Sequence, residues 1–382
     1  MAVYAVVSHL KILRLFLRIV GVVTQLLISI LTYRTFRKFV TENTAFVIAV
    51  FYYNIIPKNS TVPDFSNMLL WFSTLVFLSF LEFSLNRGTS ACRPAFFLIA
   101  AGVSTSLLVL SYPTCIFVVL PGCIGIWLLS AAGNRLKNLL IYLGTCGVCG
   151  LGWLAYFLCH MSFRQFLDGL SEMLTDGSHD VGLLGKLKDN LSCLGETFPY
   201  LLVALVIALV FWCFFRFICR KNYRFFLLLI ISLILEQLFV WYRLQKHIEY
   251  PGFVYLRFPL WGIYCYFHCK KSSGELAPVY KALFWFGSIT SLFLLLAAFT
   301  ASNTMLYESA DYMAIGMLVS LCYAERETLE SPVFWKSFVL LFVGLAVIHK
   351  GFLLYNIYGH DTIFVTRQKA EEGPMAGIYG RD

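Results

Sequence analysis

The sequence contains few charged residues, since Asp, Glu, Lys and Arg together make up 13% of its 382 positions. A soluble domain typically carries about 25%, and an ordinary soluble globular protein is therefore excluded. Acids are especially scarce at the front, where none precedes Glu42. The apolar runs also lack the alternation of apolar and polar residues that a membrane β-barrel requires, and this excludes that architecture.

Motifs of soluble enzymes are absent as well. The sequence holds no Walker loop, no Gly-x-Gly-x-x-Gly fingerprint and no His-Glu-x-x-His pair. Its 12 cysteines lie mostly inside apolar runs, where they are interpreted as small packing residues. Cys159 and Cys193 flank one loop, and a disulfide between them is the less favoured alternative if that side is oxidising. The net charge of +9 comes from short cationic clusters between apolar runs, which is typical of membrane proteins, so no nucleic-acid partner is predicted.

What the chain has in abundance is long apolar runs, with 59% hydrophobic residues in all. Runs near 20 residues predict membrane-spanning helices. The expectation is an all-α, polytopic transmembrane bundle over residues 1–355, followed by a polar tail over 356–382. Pro113 in the stretch SYPT predicts a turn between two of the spans. About twelve spans are predicted, near 12–33, 44–56, 67–85, 95–111, 115–130, 139–158, 198–218, 225–242, 256–268, 280–299, 311–324 and 334–355.

The cations between these spans predict the orientation of the chain. One set of alternating loops holds 16 Lys and Arg, from Arg34 to Lys336, and the opposite short loops hold four. Cations favour the cytoplasmic side, which places the first set inside and both termini outside a cell membrane. A chain that starts outside without a signal peptide suggests that an odd number of spans precedes residue 1.

The longest segment predicted to lie outside is 160–197. Apolar residues from Phe163 to Leu174 recur at spacings of three and four, whereas Arg164, Asp168 and Glu172 fall on the other face. This pattern predicts an amphipathic helix that lies on the outer surface of the bilayer.

Two groups of polar residues at the outer side are candidates for chemistry. Asp64 and Asp176 are carboxylates near span ends and are candidate general bases, although Asp176 also fits a solvated helix end. Glu82, at the inner end of the third span, is expected to be an edge charge. The second group is cationic and comprises Arg243, Lys246, His247, Arg257 and Arg18. These side chains could bind the phosphate of a lipid; the alternative is that they are solvated, or lie at the membrane interface without binding a ligand.

Several short stretches resemble the GT-C class of membrane glycosyltransferases, which includes the protein O-mannosyltransferases and the bacterial aminoarabinose transferases. They are YYNIIP (52–57), LVLSYPT (108–114), AAFTASN (297–303) and EEGPMAGIYG (371–380). The resemblance implies a polyprenyl-phosphate sugar as donor, an acceptor hydroxyl that displaces the lipid phosphate, and an acidic residue as base or as ligand of a divalent metal. The sequence itself predicts no metal site.

In that class the acidic residue lies on the first exterior loop, after the first span. The resemblance places that loop before residue 1, so the chain as given is expected to lack the acidic residue of the class. Asp64 and Asp176 do not inherit its role through the resemblance, and an inactive fragment is one interpretation of the chain. Two other functions fit the sequence. A secondary transporter would explain many spans with intramembrane charges, and a polymerase or ligase of polyprenyl-linked polysaccharides would explain the exterior segment.

Overall fold

The computed structural model describes residues 2–55, 62–87, 92–174, 277–300 and 314–328, isolated positions between 184 and 267, and four residues of the tail. The predicted spans near 198–218, 225–242, 256–268 and 334–355 lie wholly or largely outside this part. At the other eight predicted positions the structure has helices.

The described residues up to Leu174 form seven α-helices. A 3₁₀ segment, Pro113–Val118, precedes the fifth helix and a 3₁₀ turn, Ala132–Asn134, precedes the sixth. The helices are α1 (Ala2–Phe36), α2 (Glu42–Asn54), α3 (Phe65–Leu85), α4 (Cys92–Ser111), α5 (Val119–Leu129), α6 (Arg135–His160) and α7 (Phe163–Leu174).

The later described helices are α8 (Ala277–Ala282), α9 (Thr290–Thr300) and α10 (Ala314–Thr328). A π-helical segment, Leu283–Ile289, joins α8 to α9 without a break. In the tail, β1 (Gln368–Lys369) pairs antiparallel with β2 (Tyr379–Gly380). The prediction of an all-α chain did not include this short pair.

Five helices in the described part are long and apolar enough to cross a membrane. Two shorter apolar helices, Pro113–Leu129 and Ala314–Tyr323, accompany them. The five are Leu15–Phe36, Phe65–Leu85, Cys92–Ser111, Ala132–His160 and Pro278–Ala297.

Local sequence explains where several helices begin and end. Asp64 precedes α3 and its side chain accepts a hydrogen bond from the backbone of Asn67, which caps the helix. Tyr112 is extended, as expected of a residue before proline, and Pro113 starts the 3₁₀ segment after α4 ends at Ser111. The turn predicted from SYPT is therefore confirmed.

The core of the bundle is built around α3. Fifteen of its 21 residues are buried, whereas α6 buries only Tyr142. Aromatic rings join α3 to its neighbours, because Phe80 stacks on Phe286 of the π-helical segment at 4.3 Å and contacts Tyr142 of α6 at 5.2 Å between centroids.

Candidate functional site

The contacts between helices define two ends of the bundle. At one end, the turn after α1, the end of α3, the start of α8 and the second half of α10 meet; we call it the cationic end. The contacts that show this are Lys38 with Glu82, the amide of Thr41 with Glu325, and the Ser84 hydroxyl with the carbonyl of Pro278.

The opposite end holds Asp64, and we call it the Asp64 end. There Phe65 stacks on Tyr112 with centroids 6.1 Å apart, and the hydroxyl of Thr114 donates to the carbonyl of Ala297 at 3.0 Å. These contacts bring the start of α3, the break after α4 and α9 together. Helix α1 runs from this end towards the cationic end, since Gln25 contacts the last turn of α2 and Lys38 contacts α3 near its end.

Asp64 is half-buried, and its side chain is held by Asn67 in the first turn of the helix that Asp64 caps. Its Oδ1 accepts from the backbone N–H of Asn67 at 2.8 Å and from the Asn67 side-chain amide at 3.0 Å. The amide of Asn67 also donates to the carbonyl of Val62 at 2.8 Å. Both bonds recorded for the Asp64 carboxylate in the described residues use Oδ1, which leaves Oδ2 for a proton or a ligand.

A buried polar group lies between α1, α2 and α3 and contains Gln25. Its amide donates to the carbonyls of Tyr52 and Ile55 at 2.9 and 3.0 Å, and its Oε1 accepts from the indole of Trp71 at 2.5 Å. The last carbonyls of a helix lack intrahelical partners. Gln25 supplies one at the end of α2 and so fixes that end against α1 and α3.

A second buried polar group holds the cationic end together. Glu82 is 8% exposed, and its carboxylate accepts from Lys38 through both oxygens, from the hydroxyl of Thr35 at 3.0 Å and from the amide of Asn86 at 3.0 Å. The expectation that Glu82 is only an edge charge is therefore wrong. The turn after α1 folds back over the end of α3 and covers this carboxylate.

Glu325 holds the same turn from the other side. It is 4% exposed, and its Oε1 accepts from the backbone N–H of Thr41 at 2.9 Å. Two buried carboxylates, one on α3 and one on α10, thus fix the short connection between α1 and α2.

The predicted site residues are only partly within the described part of the chain. Asp64 caps α3 as described above, and Arg18 lies exposed on α1. Arg18 precedes Gln25 by seven residues, or about 10 Å along the helix, and the structure records no contact between Arg18 and Asp64. Five further candidates lie outside the described residues: Asp176, Arg243, Lys246, His247 and Arg257.

Sequence reasoning missed the role of Gln25 and the pairing of Lys38 with Glu82. For Gln25 a signal existed, because an uncharged amide inside an apolar run of α1 must find hydrogen-bond partners. A metal site is not indicated within the described residues, which contain no group of three His, Cys, Asp or Glu side chains able to hold an ion.

No family model, no curated protein and no solved structure matches the chain. The resemblance to the GT-C class therefore rests only on the short stretches of sequence given above.

Proposed function

We propose that the chain is an integral-membrane glycosyltransferase of the GT-C kind. It would move a sugar from a polyprenyl-phosphate carrier to an acceptor hydroxyl at the Asp64 end of the bundle. The observation that supports this best is Asp64 itself, a half-buried carboxylate held in place by Asn67 with its Oδ2 unbonded within the described residues. A fixed carboxylate at the rim of an apolar bundle suits a reaction between a lipid-borne donor and a polar acceptor.

The proposed step is a displacement at the anomeric carbon of the donor sugar. The acceptor oxygen forms a bond to that carbon, and the bond from the carbon to the phosphate oxygen breaks. Its electron pair leaves with polyprenyl phosphate. In place of the first-loop acid that the GT-C resemblance puts before residue 1, Asp64 Oδ2 takes the proton of the acceptor hydroxyl as general base, a role that typically contributes about 10²–10⁴-fold in rate.

The carrier lipid explains the remaining proposed roles. Its tail lies among or beside the apolar helices, and its phosphate needs cations at the same level as the sugar. Arg18, exposed on α1 before Gln25, is one proposed phosphate ligand. Arg243, Lys246, His247 and Arg257 are the others. We place the Asp64 end at the outer face of a cell membrane, because the cations collect at the other end.

The test uses the full chain in proteoliposomes with radiolabelled polyprenyl-phosphate mannose, glucose and aminoarabinose as donors. The substitution Asp64→Asn removes the base but retains an oxygen that can cap α3, since Asn is as good a cap as Asp. We expect transfer to fall at least about 100-fold with little loss of stability. Glu172→Gln, an exposed acid on α7, is the matched control and should transfer as the unchanged protein does.

Two results would contradict the proposal. One is the absence of transfer by the unchanged protein from all three donors. The other is a fully active Asp64→Asn variant. A single sugar on the acceptor supports a transferase, whereas a ladder of products would indicate the polymerase that the sequence also allows.

A secondary transporter is the second candidate, favoured by the buried carboxylate of Glu82 and its bond to Lys38, because buried ionisable groups in membrane proteins often mark transport pathways. Uptake of a sugar or of a sugar phosphate by the proteoliposomes, without any covalent transfer, would support it. Glu82→Gln should then abolish uptake, and under the transferase proposal it should leave transfer largely intact.

A further inference from the structure

At the cationic end, the acidic side chains are mostly buried and the basic side chains are mostly exposed. Two acids of this end are buried in the described part of the chain, Glu82 and Glu325, and both bond to groups of the chain itself. Most of the cations face outwards. Among the described residues of this end, Arg87 and Arg135 are partly buried, whereas six other Lys and Arg side chains are exposed. They are Arg34, Arg37, Lys38, Arg93, Lys137 and Lys281.

The exposed acids at this end are few by comparison. Glu42 is exposed, and it accepts from the hydroxyl of Tyr33 at 2.7 Å and lies 3.9 Å from Arg37. The residues Arg34, Arg93, Lys137 and Lys281 have no acid against them in the described part of the chain. We call these four residues the cationic rim. Their positions follow from the starts of α4, α6 and α8 and the end of α1.

Aromatic rings lie beside two cations, Arg37 and Arg135, that are close in the sequence to Arg34 and Lys137 of the cationic rim. The guanidinium of Arg135 lies over the ring of Trp127 at 5.6 Å, and that of Arg37 lies over the ring of Tyr33 at the same distance. Trp127 is 44% exposed beside exposed Leu128. Tryptophan and tyrosine favour the boundary between hydrocarbon and head groups, which puts the cationic rim at the level of lipid phosphates.

We propose that the cationic rim binds the head groups of anionic phospholipids in the adjoining leaflet. The charges are complementary, and the rim stands at the right depth on a bundle whose exposed helix faces are apolar. The two buried acids bond to groups inside the bundle. They therefore do not pair with the exposed cations of the rim, whose positive charge stays available to lipid phosphates. This proposal is independent of the glycosyltransferase proposal, since it concerns the opposite end of the bundle.

The test measures lipid binding to the full chain in nanodiscs. One set contains only phosphatidylcholine, and the other contains phosphatidylcholine with about a third phosphatidylglycerol. Native mass spectrometry of protein ejected from the discs reports which lipids stay bound. We expect phosphatidylglycerol to be retained in preference, and we expect that preference to weaken at high salt because of screening.

The variant Arg34→Gln with Lys137→Gln should reduce that preference by about fivefold for each cation, or roughly 25-fold in all. The matched control is Arg164→Gln with Lys188→Gln, which removes the same charge from exposed positions outside the rim. The control should keep the preference. Size-exclusion chromatography checks that both variants elute as a single folded species. Because all four substituted positions are exposed, neither variant should unfold.

Three outcomes would overturn the proposal. The first is equal retention of both lipids by the unchanged protein. The second is an equal loss of preference in the rim variant and the control, which would show a response to net charge alone. The third is displacement of phosphatidylglycerol by a short oligonucleotide at equimolar amounts, which would indicate a soluble polyanion as the partner of the rim.

Discussion

At the scale of single residues, the buried polar groups decide which helices can be neighbours. The carboxylate of Glu82 accepts hydrogen bonds from Thr35 on α1, from Lys38 in the turn after α1 and from Asn86 at the end of α3. A carboxylate that is 8% exposed is costly unless it is paired and hydrogen-bonded. The arrangement therefore allows few alternatives to the observed packing.

Replacing Glu82 tests this. Glu82→Ala removes the carboxylate that accepts from Thr35 and Asn86, although the Asn86 amide keeps its bond to the backbone carbonyl of residue 82. Lys38 can turn to water because its side chain is 47% exposed. We expect a loss of about 1–3 kcal/mol in the free energy of unfolding. Glu82→Gln keeps an acceptor oxygen and should lose less. Denaturation by a harsh detergent, followed by circular dichroism, measures both.

The control for Glu82 is Glu42→Gln, because the side chain of Glu42 is 71% exposed beside Arg37. An exposed ion pair contributes about 0–1 kcal/mol, so this variant should unfold nearly as the unchanged protein does. If Glu82→Ala and Glu42→Gln were equally mild, the buried carboxylate would have no special role.

The bond between Gln25 and Trp71 can be tested by a double-mutant cycle. Trp71→Phe removes the indole donor but keeps an aromatic ring, and Gln25→Leu removes the acceptor together with the amide that reaches Tyr52 and Ile55. We expect each single change to cost about 1–2 kcal/mol and the pair to cost less than their sum. Strict additivity in the unfolding free energies would show that the bond contributes nothing.

At the scale of elements, the fifth helix and the π-helical segment approach each other at a glycine. A Cβ at Gly125 would collide with the ring of Phe286, which already stacks on Phe80. Since Phe286 is fully buried, the ring can move only by disturbing that stack. Close approach of membrane helices commonly relies on such small residues.

Gly125→Ala should therefore destabilise the protein by about 1–3 kcal/mol through overpacking. Gly147→Ala on α6 is the matched control, because nothing lies within 4 Å of its added methyl group. Alanine has the higher helix propensity, so this control should be neutral or slightly stabilising, by up to about 1 kcal/mol. Thermal unfolding in detergent should give the two variants opposite signs, and equal signs would contradict the packing described here.

Helix α7 shows which features of an element sequence reasoning could predict. Its range follows from apolar spacing, and the structure starts it at Phe163 behind a capping box. The amide of Ser162 donates to the side chain of Gln165 at 2.8 Å, and the amide of Gln165 donates back to the Ser162 hydroxyl at 3.3 Å. The π-helical segment, in contrast, lies inside an apolar run with no local signal, and its packing on α3, α5 and α10 is what distinguishes it.

At the scale of the whole molecule, the sequence predicts helices well and their neighbours poorly. Run lengths and the break at Pro113 locate most ends of the described helices to within a few residues, but α1 begins at Ala2, ten residues before the predicted span. The hydrogen bond between Thr41 and Glu325 joins residues 284 positions apart, and no local sequence pattern predicts a contact at that distance along the chain. For the candidate site, Asp64 could be singled out because it precedes an apolar run, but its bonds to Asn67 follow from the cap geometry.

The two ends of the bundle lead to a prediction about sidedness that native residues can test. Cys92 begins α4 at the cationic end, Cys159 lies at the far end of α6, and both are exposed free thiols. If the bundle spans the membrane with its cations inside, a membrane-impermeant maleimide added to intact cells should label Cys159 and spare Cys92. Inside-out vesicles should give the reverse, and peptide mass spectrometry distinguishes the two sites. Cys92→Ser and Cys159→Ser controls each remove one signal. Labelling of both thiols from the same side of sealed membranes would show that these two ends do not lie on opposite faces.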